Sequence, residues 1–168
     1  MEDTKLEIHG LIHRLPDQVR RWALLLIWTL AFGYTAGMFY LVDTTSMAPQ
    51  GIEENYLGNE DQEDAEKMKF KMTKKQVLNI IHSHVISYSL IFFLLGTVLL
   101  LSSVKKPWKT ILLIEPLLSL VLTFGGLYLL WTGITWMKYV VMLAGICLSI
   151  GFYLTLFLLT LDLVKRQR

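Results

Sequence analysis

Apolar residues run nearly unbroken over four stretches of the chain, 22–42, 77–104, 110–131 and 139–164, separated by charged or turn-forming residues. A helix rises about 1.5 Å per residue and needs roughly 20 apolar residues to cross the hydrocarbon of a bilayer. Each stretch is long enough. A transmembrane barrel would alternate apolar and polar positions over strands of about 10 residues, and nothing here alternates over that length. Helices are then the only structure that satisfies these backbones in lipid. The pattern predicts an all-α membrane fold, a four-transmembrane-helix bundle with spans at 22–42, 76–104, 110–131 and 139–164. The remainder divides into an amphipathic segment at 1–21, a long loop at 43–75, short turns at 105–109 and 132–138, and a tail at 165–168.

Composition agrees with that reading. Of 168 residues, 54% are hydrophobic and 18% charged, against about 25% charged in an average soluble domain, and mean hydropathy is +0.47. The first 21 residues are polar and the first apolar run lacks a small-residue cleavage site, so that run reads as an uncleaved signal anchor. Cys147 is the single cysteine, which excludes an internal disulfide framework and a cysteine metal cluster.

Charge sets the expected orientation. With the N-terminus inside, the cytoplasmic side holds ten cations, Lys5, Arg14, Arg20, Arg21, Lys105, Lys106, Lys109, Lys165, Arg166 and Arg168. The outer side holds six, Lys67, Lys69, Lys71, Lys74, Lys75 and Lys138. Five of those six lie in or beside the long loop, where the bias is weaker. Both termini are therefore expected in the cytoplasm and the 43–75 loop outside, in a bacterial inner membrane.

Outside the spans, Ile8, Leu11, Ile12, Leu15 and Val19 fall near one helical face, which predicts an interfacial helix on the inner leaflet with a break at Pro16. In the loop, acidic "EENYLGNEDQEDAEK" precedes basic "KMKFKMTKK", the charge order a loop helix would use to complement its dipole. Its "NEDQED" run lacks the spaced ligands and glycine of an EF-hand loop.

The candidate chemistry is within the spans. "NIIHSHVISYSLIFF" places His82 and His84 in the second span, in the half nearer the long loop. Residues two apart differ by about 200° around a helix, so the two imidazoles face nearly opposite ways and one regular helix cannot give both to one metal. Asn79, His82, Ser89 and Gly96 form a small, polar stripe of the kind that meets protein in membranes. His84, Tyr88, Ile91 and Leu95 form a bulkier one. His82 is accordingly expected to face the bundle, and His84 a partner, a cofactor or the interface. On the third span Glu115 and Ser119 share a face in the opposite half, and Pro116 leaves a carbonyl one turn back without its donor. A membrane-embedded carboxylate is costly, at least about 2.5 kcal/mol, and is a functional candidate by default.

Three readings of the histidines stay open. They hydrogen-bond to neighbouring helices. One of them ligates a metal or cofactor, haem b foremost, with Tyr88 beside it and Gly96 or Gly125 and Gly126 making room for a flat ring. Or His, Tyr88 and Glu115 make a proton or quinol site. Gly33 and Gly37 in "GYTAG", with Gly126 and Gly145, read as close-packing positions. His9 and His13 are spaced to share a metal but lack a third ligand. Asp162 reads as an interfacial ion pair with Lys165 and Arg166. No HExxH, GxSxG, P-loop or dinucleotide-binding motif is present, and the basic residues sit at membrane boundaries, leaving no nucleic-acid footprint.

The stretches "GIEENYLGN", "MKFKM" and "IHSHVISYSLIFFLLG", all within 51–96, resemble uncharacterised small bacterial four-helix integral membrane proteins. The resemblance implies no nameable activity. It implies that the loop and the His-bearing helix form one unit, with the loop folding over His82 and His84. Together these observations predict a non-enzymatic membrane subunit, in contact with lipid and with other membrane subunits or a second copy, in an envelope complex such as an electron-transfer or photosynthetic one. A haem b- or metal-binding cytochrome-like protein and a small proton-coupled carrier using Glu115 are the alternatives.

Overall fold

A computed structural model describes residues 9–60 and 67–165, and among these there are five α-helices and no strand. Four are long and apolar enough to cross a membrane: α1 (Asp17–Thr45), α3 (Lys74–Leu101), α4 (Lys106–Trp131) and α5 (Met137–Val164). The short α2 (Pro49–Leu57) lies between the first two. The four-helix membrane bundle read from the apolar pattern is the observed fold.

Local chemistry fixes several helix ends. α1 stops where Ser46 and Met47 turn left-handed, at φ 51° and 50°, and Pro49 opens α2 with its fixed φ. Thr73 and Gln76 form a capping box at the start of α3, with Thr73 N donating to Gln76 Oε1 at 2.8 Å. Pro116 sits inside α4 and is buried.

The core is built on α4 and α5, the most closely apposed pair, with α3 against both. Leu95, Leu99, Leu120, Phe152, Leu156 and Leu159 fill its centre. α1 packs on α2 and α5 and contributes Ile27. Gly126 lets Val141 approach, since a Cβ there would lie 3.1 Å from Val141 Cγ2, and Gly96 lies under Leu113. Around Gly33, Gly37 and Gly145 no other helix among the described residues comes within 4 Å of where a Cβ would be.

The N-terminal segment departs from the expected interfacial helix. Residues 1–8, with Lys5 and Ile8, lie outside the described residues. From there a 3-10 turn, Leu11–Arg14, drives Ile12 to 0% exposure among core residues of the bundle. Pro16 then starts α1 rather than breaking a helix. Ile12 is worth more against the bundle core than on a leaflet surface, because it is fully removed from both water and lipid headgroups.

At the opposite end the loop folds onto α4 and α5. Ile52 joins Val77, Leu127, Leu130 and Val141 in a second apolar cluster, with Tyr56 and Leu57 packed against it. The helix here is α2, which holds only the first five residues of the acidic run, 53–57, and residues 61–66 of that run lie outside the described residues. Residues 67–73 return as non-helical chain. Gly58, at φ 85°, lets the outgoing and returning strands of the loop touch, since a Cβ there would stand 2.7 Å from Lys71 N. Asn59 clasps the return, donating to Lys67 O at 3.0 Å and accepting from Lys69 N at 2.6 Å. Trp131 Nε1 donates to Met72 O at 2.8 Å, and Lys138 pairs with Glu53 at 2.5 Å.

Burial pushes the Tyr56 phenol from 10.0 up to about 12. A phenol whose pKa is raised on folding stabilises the docked loop below pH 10 and loses that contribution as pH rises through 12. Loop docking is therefore expected to weaken between pH 10 and pH 12, read as faster proteolysis between Lys67 and Lys75, and Tyr56→Phe should abolish that step.

Candidate functional site

The polar stripe of α3 is divided: Asn79 and His82 are exposed, Ser89 is half-buried and Gly96 is buried. Val77, Phe92, Leu95, Gly96 and Leu99 face inward. His84 lies on the side of α4, its ring 5.3 Å from Phe124 and 5.7 Å from Tyr88. His82, expected to face the bundle, is exposed and has no side-chain partner among the described residues. His84 Nδ1 lies 2.9 Å from Ile80 O. A carbonyl only accepts, so Nδ1 carries the proton in that contact and a neutral ring keeps its lone pair on Nε2.

Tyr88 leads from His84 to a residue the pattern did not single out. Tyr34 of α1 stands 5.9 Å from Tyr88, stacks on Phe152 at 4.1 Å and shares a hydrogen bond with Ser149 Oγ at 2.8 Å. Beside it Thr35 and Tyr153 share another at 2.8 Å. His84, Tyr88, Tyr34, Phe124 and Phe152 thus bring all four spans together in one aromatic centre. The signal for Tyr34 was its place mid-span in "GYTAG", far from the boundaries where tyrosines usually sit.

Glu115 is held separately. Ser119 Oγ donates to its Oε1 at 2.6 Å, while Oε2 is buried without a partner. That oxygen is turned to Gly151 of α5, where a Cβ would collide with it.

A third polar cluster closes the end that holds the start of α1 and the end of α5. Asp162 Oδ2 accepts from Ser103 N at 2.6 Å, and Oδ1 lies 3.2 Å from His13 Nε2. His13 Nε2 also lies 2.8 Å from Ser103 Oγ. Asp162 is 6% exposed and turned into the bundle toward His13 and Ser103 rather than toward the exposed Lys165, and Arg166 lies outside the described residues. Ser103, His13 and Asp162 do not make a nucleophilic triad, because hydroxyl and carboxylate share Nε2 and leave Nδ1 buried and unpartnered. Two cations cap helix ends nearby. Lys109 Nζ donates to Leu100 O at 2.8 Å and to Ser102 O at 2.7 Å, and lies 3.3 Å from His9 Nδ1. Arg20 donates to Leu163 O and Lys165 O. Both place positive charge on C-terminal carbonyls, where the helix dipole favours it.

The space over Gly96 is filled by Leu113 Cδ2, 2.9 Å from a would-be Cβ. Among the described residues no three His, Cys, Asp or Glu side chains are grouped to hold a metal ion. His9 stands against a lysine ammonium, which would repel a cation.

Four apolar spans joined by buried polar contacts make this an integral membrane protein of the multi-pass helical class. A family model described as a transmembrane helical domain matches residues 46–168, and the chain belongs to that family. The match begins at Ser46, directly after α1, and so takes in α2 to α5. No curated protein and no solved structure matches the chain.

Proposed function

We propose that the protein is a small non-enzymatic subunit of a larger assembly in a bacterial inner membrane, with both termini in the cytoplasm. The outward face of α3 carries this reading. The exposed faces of α4 and α5 are apolar through their middle turns, with Ile114, Leu118 and Val121 on one and Leu143, Ile146 and Ile150 on the other. On α3 the exposed residues include Asn79, His82, Ser83, Ser87 and Thr97. Ser83 and Thr97 return their hydroxyls to carbonyls of their own helix. Asn79, His82 and Ser87 have no side-chain partner among the described residues. Polar groups at membrane depth face protein or water rather than hydrocarbon, so this face is one that another protein covers.

Native electrophoresis of the full chain extracted in mild detergent tests the reading. A species larger than one chain is expected, and Asn79→Leu with His82→Leu should reduce it. A single chain that migrates alone at native expression levels would refute it.

The carrier reading is favoured by one observation, the unpartnered buried oxygen of Glu115. Its test is proton-coupled uptake in vesicles, which Glu115→Gln should abolish if the carboxyl carries the proton.

A further inference from the structure

Resting on the subunit reading, we infer that the partner on α3 is a second copy of this chain, packed α3 against α3 with the two helices parallel. Asn79, Ser83, Ile86, Leu90, Phe93, Thr97 and Leu100 follow one another at alternating steps of four and three residues, and all are exposed in the single chain. Apolar residues in that alternation form the seam of a left-handed helix pair, in which each side chain enters a gap on the facing helix. At about 1.5 Å per residue the seam runs for roughly 30 Å, the full depth of the hydrocarbon. Leu90, at its middle, is 59% exposed, and Ile86 and Phe93 on either side are 56% and 69% exposed. The large apolar side chains thus sit mid-membrane and the amide and hydroxyls of Asn79 and Ser83 nearer the loop end.

Self-complementarity selects a second copy over an unrelated helix. Two copies enter the membrane the same way, so a two-fold axis along α3 sets each seam residue against its own equivalent. The Asn79 amide is both donor and acceptor and can satisfy its twin, and any imidazole in its uncharged form likewise carries one donor and one acceptor. From Lys74 to Leu101 there is no acidic residue, so the face requires no matched charge from a different chain. Lys74 and Lys75 would face their twins only at the loop end, where water and salt screen them. A polar residue within an otherwise apolar seam also fixes register and the number of strands, the role Asn79 takes here.

The test is disulfide cross-linking in native membranes, with Cys147→Ser as background so that the lone natural thiol does not interfere. Ser83→Cys, Ile86→Cys and Leu90→Cys should each give a covalent pair of this chain at twice its mass. Leu143→Cys and Ile150→Cys, on the exposed face of α5, should give at least tenfold less. Adding Asn79→Leu and His82→Leu to Ile86→Cys should lower the linked fraction about fivefold, the two interhelical hydrogen bonds being worth a few-fold each. Linkage of the α3 cysteines to a different protein would overturn the second-copy inference and leave the subunit reading standing. Equal, low linkage on both faces, with a single chain in native electrophoresis, would overturn both.

Discussion

Asp162→Ala is expected to destabilise the bundle by roughly 3 kcal/mol, because it removes one partner from a buried, charged contact and leaves the others unpaired. Asp162 is 6% exposed, and its two oxygens serve Ser103 N and His13 Nε2. Without them the Ser103 amide loses its acceptor, and His13, already lacking a partner at Nδ1, keeps only the Ser103 hydroxyl. Because His13 belongs to the turn that buries Ile12, the loss should reach beyond the polar cluster. The segment before α1 should detach, and trypsin should cut after Arg14 faster than in the parent protein. Asp162→Asn keeps an acceptor for Ser103 N and should fall between the two. Thermal unfolding in mild detergent, read beside the Arg14 cleavage rate, checks both effects. An Asp162→Ala protein with unchanged midpoint and unchanged cleavage would mean that this cluster does not hold the N-terminal turn.

The spans were legible because lipid imposes a length and a composition that no tertiary contact can waive. The facing of α3 was not. Small polar residues signal protein contact in membranes, but one chain's pattern does not say whether that protein is itself or another. Here the interior takes Phe92, Leu95 and Leu99 together with Gly96 of the polar stripe, while Asn79 and His82 of that stripe turn away. The closed end was hidden for a different reason. His13, Ser103 and Asp162 are 90 and 59 positions apart along that contact chain, and local spacing reads Asp162 only against Lys165 and Arg166. Tyr34 meets Ser149 across 115 positions and was equally out of reach. Glu115 and Ser119 were legible, being one helical turn apart, yet the feature that gives Glu115 its character lies on α5, at Gly151.

That feature yields the second large effect. Gly151→Ala should destabilise by about 2 kcal/mol, as overpacking in a filled core does, since the new Cβ would run into Glu115 Oε2 and lie 3.4 Å from Pro116 Cγ. The obstacle is the end of a side chain rather than backbone, so the outcome depends on whether Glu115 can swing aside. Its other oxygen is tied to Ser119 at 2.6 Å, which opposes the movement. In a Glu115→Ala background the same substitution should be nearly neutral, and the difference between the two is the coupling of the pair. Ser119→Ala should relieve part of the penalty by releasing the carboxyl. Unfolding midpoints of the single and double variants measure this directly. If Gly151→Ala is as harmful without Glu115 as with it, the carboxyl does not occupy this place. If the coupling is found, the unpartnered oxygen is held in the α4–α5 contact by packing rather than by a hydrogen bond, and the Ser119→Ala variant then measures how firmly one hydroxyl keeps it from moving. That firmness bears on the carrier reading, because a carboxyl that exchanges protons with a path must be able to leave the contact that buries it.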